Sequence, residues 1–397
     1  MIKYETPRNW FQFDKDSRDL TGIYVEAKAA ILSLQTVPYQ RRWVEALQDV
    51  ELKREVAGTS RIEGAEFTEQ EFELAFQENP AQLLTRSQRQ AHAVVQTYRW
   101  IAALPQDRPI NADLISHIHR TIVTGADDDH CPPGQLRKEN QNVNFGMPRH
   151  RGAEGGAECV SAFRQFSEAI QREYQDQDPI IQALAAHYHL AAMHPFLDGN
   201  GRTARALEAL MLQRAGLRDT CFIAMSNYYY DEKNAYLAAL AEVRQSGHDL
   251  TAFLIFGLKG IALQSKRVLA QIQRHISKVL YRDLMYELFG RLKSKRKRFI
   301  AQRQLKILDL LLNADSMEFD LLRKMTESTY SKLKNPVGGL VRDLLNLEAL
   351  NAIAIKQIGE NRYEVTVRPE WPTRLTETDF FAKIKQYPKA KTHSLLR

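Results

Sequence analysis

The sequence predicts a mainly α-helical protein with two small β elements, and three patterns support this fold class. Apolar residues at Ile181, Leu184, Ala185 and Tyr188 recur at i, i+3, i+4 and i+7, which is the spacing of a buried helix face. Polar and apolar residues alternate briefly in residues 142–146, which predicts a short strand. In the last quarter of the chain, three helical patterns are followed by two alternating segments, which predicts helices that precede a hairpin.

Length and composition limit the class of protein. The chain has 397 residues, of which 44% are apolar, and is long enough for two or three domains. No apolar run approaches a membrane span, and residues 1–11 lack the apolar core of a secretory signal. Cys131, Cys159 and Cys221 show no metal-binding spacing and cannot form an even set of disulfides. We therefore expect a cytoplasmic protein with no membrane partner.

The most informative segment is HPFLDGNGRTAR, residues 194–205. It follows a helix for which Asp178 is the expected cap and Pro179 the first residue, where a missing N–H group costs nothing. Downstream, the apolar pattern predicts a second helix that runs to about Gly216. Residues 198–201 are therefore expected to form a tight loop that leads into a helix N-terminus.

Such a loop is suited to bind an anion such as a triphosphate. A helix N-terminus offers free N–H groups and the positive end of the helix dipole. Gly199 and Gly201 let the backbone approach a phosphate closely, while Arg202 and Arg205 share one helix face and carry forked donors. Taken singly, a DGNG sequence is an ordinary turn signal and a histidine at a helix end is usually a capping or packing residue. The functional interpretation is favoured because all these features coincide.

The segment resembles the signature of the Fic family, HxFx(D/E)GNGRxxR, and matches it at every specified position. The resemblance extends over most of residues 10–260, including DPIIQALAAHYHLAAMHPF before the signature and SNYYYDEKNAYLAAL after it. Proteins with this signature are mostly adenylyltransferases, which move AMP from ATP onto a hydroxyl side chain of a target protein. The resemblance implies a Fic-type helical core that uses ATP and Mg²⁺.

The resemblance also implies a role for each signature residue. His194 would be the general base that deprotonates the target hydroxyl, and Asp198 would hold Mg²⁺ between phosphates. These roles agree with the chemistry, since histidine titrates near neutrality and a carboxylate is the usual protein ligand of nucleotide-bound Mg²⁺. Asn200 would contact the α-phosphate, and the two arginines would hold the β- and γ-phosphates. The expected nucleotide-binding residues of this loop are Gly199, Asn200, Gly201, Arg202 and Arg205.

A second segment, TSRIEG at residues 59–64, resembles the inhibitory motif (S/T)xxxE(G/N) of many of these proteins. The resemblance implies that Glu63 pairs with Arg205 and blocks a productive γ-phosphate position, because a carboxylate and a phosphate compete for the same donors. The alternative interpretation is a helix that ends at Gly64 and leaves Glu63 in solvent.

Two further regions resemble parts of a Fic core. Residues 133–137 and 142–146 are similar to the flap hairpin that positions the target segment by strand addition. Residues 147–156 depart from the commoner flap pattern, because they are rich in glycine and basic residues and lack a Pro-Pro stretch. Four tyrosines occupy the region that receives adenine in relatives, and three adjacent ones cannot all face one pocket. Of Tyr228, Tyr229, Tyr230 and Tyr236, we assign Tyr229 and Tyr236 to nucleotide binding.

The C-terminal third is basic. Residues 261–397 carry 27 Lys and Arg against 14 Asp and Glu, whereas residues 1–260 carry 28 against 34. Residues 291–298 concentrate the positive charge, and we interpret them as a linker or helix end. Three helices then follow, the third with Asn335 as cap and Pro336 as first residue, and alternation around a turn at residues 359–361 predicts a hairpin. Three helices and a hairpin indicate a winged helix.

The third of these helices argues against sequence-specific DNA binding. Its polar face offers one basic residue, where a helix that reads a DNA groove normally brings more donors to base edges. We therefore favour a protein-contact or dimerisation role over DNA binding. The polar face consists of Gly338, Gly339, Arg342, Asp343 and Asn346.

Together these patterns predict a self-inhibited protein adenylyltransferase that acts on a Tyr, Thr or Ser hydroxyl of a target protein, with self-modification and a homodimer as further expectations. The alternatives are a DNA-binding regulator whose Fic domain senses nucleotide, and a Fic enzyme that removes AMP or transfers another phosphate-linked group. The expected division is an N-terminal helical region with the inhibitory helix at 1–105, the Fic core at 106–260, a helical basic linker at 261–300, the winged helix at 301–372 and a tail at 373–397.

Overall fold

The computed structural model describes residues 2–38, 41–77, 79–217, 223–360 and 362–385. The chain divides into two compact units, Met1–Ala270 and Gln271–Arg397, which are described separately below. The fold is mainly helical with two small sheets, as the sequence predicts. In the described residues, no helix combines the length and the apolar character that crossing a membrane would need. Cys221, one of the three cysteines, lies outside the described residues.

The first unit is built from helices around the central pair α7 and α8. Its helices are α1 (Arg18–Thr36), α2 (Arg41–Ile62), α3 (Glu69–Ala75), α4 (Arg86–Ala103), α5 (Ala112–Val123), α6 (Ala157–Gln171), α7 (Pro179–Met193), α8 (Asn200–Leu212), α9 (Met225–Asp231), α10 (Lys233–Gln245) and the first half of α11 (Thr251–Gly290).

Helices α7 and α8 form the core that presents the signature loop. The Asp178 side chain accepts a hydrogen bond from the Ile180 N–H at 3.0 Å and Pro179 follows as first residue, so the predicted start of α7 is confirmed. His194 ends α7 in the left-handed conformation, with φ of 54°. Because nearly every residue of both helices is buried, the loop between them is held on a rigid base.

Helix α2 is fixed against α9 and α4. A Cβ at Gly58 would lie 2.5 Å from the backbone of Ser226, so only glycine permits this close approach. The buried carboxylate of Glu55 accepts hydrogen bonds from the Tyr98 hydroxyl and the Ser226 N–H, both at 2.7 Å. Burial raises the pKa of Glu55 to about 7. These contacts determine where the C-terminal end of α2 lies.

The small sheet of the first unit contains the expected hairpin. Strands β2 (Asn144–Phe145) and β3 (His150–Arg151) pair antiparallel, with Phe145 opposite His150. Strand β1 (Ile2–Lys3) pairs parallel with the other edge of β3, which gives the order β1-β3-β2. Among the described residues, β1 and β2 are therefore the two edge strands of this sheet.

The second unit contains the three helices and the hairpin that the sequence predicts, with one additional strand, and the winged-helix assignment stays a prediction. A three-stranded sheet of order β4-β6-β5 packs on the helices. The Asn335 side chain caps α14 by accepting from Gly338 N–H at 2.9 Å, as predicted. Asn361 of the predicted turn lies outside the described residues. The elements are α12 (Lys295–Ala314), β4 (Ser316–Glu318), α13 (Phe319–Tyr330), α14 (Pro336–Ala349), β5 (Ile353–Gly359), β6 (Arg362–Val367), α15 (Trp371–Arg374) and α16 (Glu377–Lys385).

Two parts of the second unit contribute to its hydrophobic core, which the sequence did not indicate. Residues 271–290, predicted as part of a helical basic linker, continue α11 and bury Tyr281 and Phe289 in the core of this unit. Residues 377–385, treated as tail, form α16, whose Phe380 is fully buried and packs edge-on against Phe289. In both segments the charges lie on the exposed side of an amphipathic helix, which explains why composition alone was misleading. The finer domain boundaries stay a prediction.

Candidate active site

The signature loop is held in one conformation by its own side chains. The Asn200 amide accepts from the Phe196 N–H and donates to the Phe196 carbonyl, both at 2.9 Å. Phe196 is fully buried and stacks on the His119 ring, with centroids 3.7 Å apart. Gly199 adopts a φ of 72°, and a Cβ there would lie 2.9 Å from Val123. The loop backbone at the start of α8 is therefore preorganised, and the expected α-phosphate contact of Asn200 stays a prediction.

The two signature arginines point inward from the first turns of α8, and both are almost completely buried. Arg202 donates to the Asp127 carboxylate at 2.6 Å, and its Nε has no partner among the described residues. Arg205 donates from Nε to the Thr59 hydroxyl at 2.7 Å. A buried guanidinium N–H without an acceptor is costly, so the Arg202 Nε is a hydrogen-bond donor that the described part of the protein leaves unsatisfied.

Glu63 reaches this site from the end of α2. Its Oε1 lies 2.5 Å from Nη2 of Arg205, although 142 residues separate the two in sequence. Burial alone would raise the pKa of Glu63, but the charge and hydrogen bonds of Arg205 outweigh it and lower that pKa. Gly201 makes room for the carboxylate, because an added Cβ would clash with Glu63 Oε1. The helix does end near Gly64, and Glu63 pairs with Arg205 although 35% of its side chain stays exposed.

His194 has the geometry of a general base. Its Nδ1 lies 2.8 Å from the Ala191 carbonyl, which can only accept, so Nδ1 carries the proton and Nε2 is left as acceptor. Burial lowers the pKa of His194 to about 4, so the ring is neutral near pH 7. Phe145 of the hairpin stacks on the imidazole with centroids 3.9 Å apart and an interplanar angle of 11°. The hairpin therefore covers one face of the ring.

Asp198 lies where a divalent cation would find oxygen ligands. One ligand atom each from Asp127, His130 and Asp198 lie within 4.8 Å of one another. Burial would raise the pKa of Asp198, but His130 and Arg202 lower it, so the carboxylate is ionised near pH 7. Its side chain is 39% exposed, whereas both oxygens of Asp127 already accept from arginines. The donor set fits Mg²⁺, with Asp198 as the accessible protein ligand.

The tyrosines that we assigned to the nucleotide are core residues in this structure. Tyr229 is fully buried and donates to Glu208 at 2.8 Å, while the Tyr236 hydroxyl lies 2.9 Å from His187 Nε2. Their rings stack on each other, with centroids 4.7 Å apart. Both rings are therefore buried in this structure, and the assignment of Tyr229 and Tyr236 to the nucleotide stays a prediction. Tyr230 is 37% exposed and keeps an accessible ring.

Three charged residues of the site were missed at the sequence level. Asp127 is fully buried and joins Arg202 to Arg86, whose Nη2 is 2.7 Å from Asp127 Oδ1 and 3.9 Å from Asp198 Oδ2. His130 Nε2 is 3.0 Å from Asp198 Oδ2. Arg86 lies at the start of α4 and the other two lie after α5. No local spacing in the sequence links these segments to the signature.

Comparison with known proteins agrees with the sequence resemblance. Residues 109–212 match the Fic/DOC family model, so the chain contains a Fic domain. Among curated proteins, protein adenylyltransferase Fic of Drosophila willistoni is 32% identical over 116 residues, which is 29% of this chain and 22% of that protein. Protein adenylyltransferase Fic of Drosophila virilis is 28% identical over 192 residues, 44% of this chain and 38% of that protein. The matched parts thus span well under half the length of these relatives.

Solved structures show the same fold at low sequence identity. A Fic family protein from Desulfovibrio desulfuricans G20 aligns with a TM-score of 0.56 and 15% identity, over 92% of this chain and 98% of that one. Fic-1 (residues 134–508) from C. elegans aligns with a TM-score of 0.51 and 19% identity, over 64% of this chain and 72% of that one.

Proposed function

We propose that this chain is a protein adenylyltransferase that transfers AMP from ATP to a hydroxyl side chain of a target protein and is restrained by its own Glu63. The ion pair between Glu63 and Arg205 carries the proposal, because it joins the inhibitory segment to the last arginine of the signature at 2.5 Å. The names of the curated relatives support the type of transfer.

The nucleotide phosphates would bind at the start of α8. The free N–H groups of its first turn and the guanidinium groups of Arg202 and Arg205 form a cationic pocket for the β- and γ-phosphates. Asn200 is expected to contact the α-phosphate. Asp198 would hold Mg²⁺, which neutralises phosphate charge when it is bound. Arg86 lies close enough to this carboxylate to add a further cation near the phosphates.

The transfer itself needs a base and alignment. Neutral His194 accepts the proton of the target hydroxyl at Nε2 while the hydroxyl oxygen attacks the α-phosphorus of ATP. The bond between the α-phosphorus and the oxygen that bridges to the β-phosphate breaks, and pyrophosphate leaves with that oxygen. The products are an AMP ester on the target and pyrophosphate. Fixed geometry and charge stabilisation account for most of the acceleration in such an in-line displacement.

Restraint follows from competition for one guanidinium group. While Glu63 accepts from Arg205, the γ-phosphate loses those donors and the α-phosphate is not aligned with the attacking hydroxyl. Breaking the pair costs free energy that ATP binding has to supply. Any change that moves the end of α2 away from α8 is therefore expected to raise activity.

The group that is transferred can be identified with labelled ATP. In a Glu63→Gly background, incubation with Mg²⁺ and ATP labelled at the α-phosphate should label protein, and ATP labelled at the γ-phosphate should not. His194→Ala in the same background should abolish labelling and largely preserve ATP binding, because the imidazole acts on the hydroxyl and not on the triphosphate. Transfer of γ label, or full labelling by His194→Ala, would contradict the proposal.

A further inference from the structure

The start of α12 carries positive charge where a helix is least able to accommodate it. Lys295, Arg296, Lys297 and Arg298 form its first turn, and the Ser294 cap makes no side-chain hydrogen bond. The N-terminus of a helix is the positive end of its dipole, so four cations there destabilise the helix. The first three are exposed and form no ion pair with any residue in the described ranges. Helix stability therefore does not explain this sequence.

The same turn borders a large cavity within the second unit. The cavity has a volume of about 910 Å³ and lies between α12, α14 and α16. Six cations and no carboxylate are found among its described lining residues. One of the six, Arg303, is neutralised by Asp343 at 2.7 Å, whereas Arg342 and Lys385 are exposed. The cavity is therefore complementary in charge to an anion.

Two buried amides in the cavity wall have unused hydrogen-bonding atoms. Gln304 is 1% exposed and Asn346 is 2% exposed, and both line the cavity. The Nε2 of Gln304 and the Oδ1 of Asn346 have no partner among the described residues. Buried polar groups are normally paired. Both atoms have less than 1 Å² of accessible surface, so they could pair with the edge of a nucleic-acid base only after their side chains turn into the cavity.

An aromatic ring lies beside these groups. Phe299 lines the cavity and is 59% exposed, which is unusual for a phenylalanine in a folded unit. Exposed aromatic rings next to a basic groove are the stacking platforms on which unpaired bases bind. The cations are thus suited to the phosphates of a nucleic-acid strand, the ring to the face of a base and the amides to the edge of a base.

We propose that this cavity and the first turn of α12 beside it, which together we call the α12 groove, bind single-stranded nucleic acid. Phosphates lie along Lys295, Arg296 and Lys297, and a base stacks on Phe299. The edge of that base pairs with Gln304 and Asn346 once these side chains turn into the cavity. A duplex fits less well, because its bases are not available to enter a cavity. Residues 386–397, which lie outside the described residues, contain no acidic residue and so do not complement the groove in charge.

The test is equilibrium binding of the full-length protein to fluorescent 12-nucleotide RNA and DNA strands at about 0.1 M salt, beside the same sequence as a duplex and an acidic polyglutamate peptide. Lys295→Glu/Arg296→Glu/Lys297→Glu should weaken single-strand binding about 100-fold. Affinity for a single strand scales as salt concentration to a power of about −0.7 for each neutralised phosphate, so three such contacts strengthen binding about 100-fold at about 0.1 M salt relative to about 1 M salt. Its matched control, Lys324→Glu/Lys332→Glu/Lys334→Glu, reverses three exposed cations elsewhere in the second unit and should bind normally. Phe299→Ala should weaken binding about 10-fold.

Thermal unfolding separates binding from folding. Acidic residues in a first helical turn stabilise the helix, so the Lys295 triple variant should unfold at a higher temperature than wild type. Gln304→Leu should also keep or raise the unfolding temperature, because it removes an unpaired buried amide, and yet weaken binding. The proposal is overturned by absence of single-strand binding, by equal loss in the two triple variants, or by tighter binding of the duplex or the peptide.

Discussion

At the residue scale, Asp198 is the proposed Mg²⁺ ligand and also lies close to arginines of the site. Asp198→Asn should weaken Mg²⁺-dependent nucleotide binding and transfer, because an amide is a poorer ligand for a hard cation than a carboxylate. Titration calorimetry with ATP, with and without Mg²⁺, measures the effect. Asp128→Asn is the matched control, since Asp128 is exposed in the same loop as Asp127. If Asp198→Asn retains the wild-type Mg²⁺ dependence, Asp198 only shapes the turn.

The sequence predicts residues that act through local spacing and misses those that act through tertiary contact. His194, Asp198, Arg202 and Arg205 lie in one loop and helix turn, so their proximity is contained in the signature. Asp127 could not be found in this way, because its partners Arg86 and Arg202 are 41 and 75 residues away. The burial of Tyr229 and Tyr236 could not be predicted, because a tyrosine-rich segment has the same composition in a core as in a pocket.

At the element scale, the end of α2 acts on α8 through two residues one turn apart. Thr59→Val removes the acceptor for Arg205 Nε while keeping the shape of the side chain. A hydrogen bond to a charged group contributes about 1.5 kcal/mol or more, which is a factor of at least about 10, so we expect autolabelling with α-labelled ATP to rise about 10-fold or more. Thr59→Ser keeps the hydroxyl and should behave as wild type. An inactive but folded Thr59→Val protein would show that this contact supports catalysis.

Helix boundaries were predictable where a capping residue marks them. Asp178 with Pro179 and Asn335 with Pro336 place the starts of α7 and α14 correctly. The 40-residue helix α11 has no internal break, and a division based on charge cut it at residue 261. Its continuation is determined by Tyr281, Met285 and Phe289, which are buried by residues far along the chain.

At the scale of the whole molecule, buried histidines make stability depend on pH. Burial lowers the pKa of His119, His150 and His194 to about 4 and that of His189 to about 3. In the unfolded chain they titrate near 6.5, so the unfolded state alone takes up these protons as pH falls from about 6.5 to 4. Each of these four histidines should therefore lower the free energy of unfolding by about 2 kcal/mol at pH 5 relative to pH 7.5. Glu55, with its raised pKa, opposes part of this loss.

Urea unfolding at the two pH values measures this dependence. We expect a lower midpoint at pH 5, and a smaller difference between the two pH values in His189→Gln, where one titrating ring is replaced by an amide that keeps a donor for the Trp10 carbonyl. Equal midpoints at pH 5 and pH 7.5 would mean that these histidines are protonated in the folded protein.

The central claim is that Glu63 restrains an adenylyltransferase by occupying Arg205, and autolabelling of Glu63→Gly tests it most directly. A competing pair of about 2–3 kcal/mol suppresses the productive state roughly 30–150-fold, so the variant should label with α-labelled ATP far faster than wild type. Adding Arg205→Ala should cancel this gain, because the γ-phosphate then has no anchor to recover. Equal labelling by wild type and Glu63→Gly, with both proteins folded and saturated with ATP, would contradict the account.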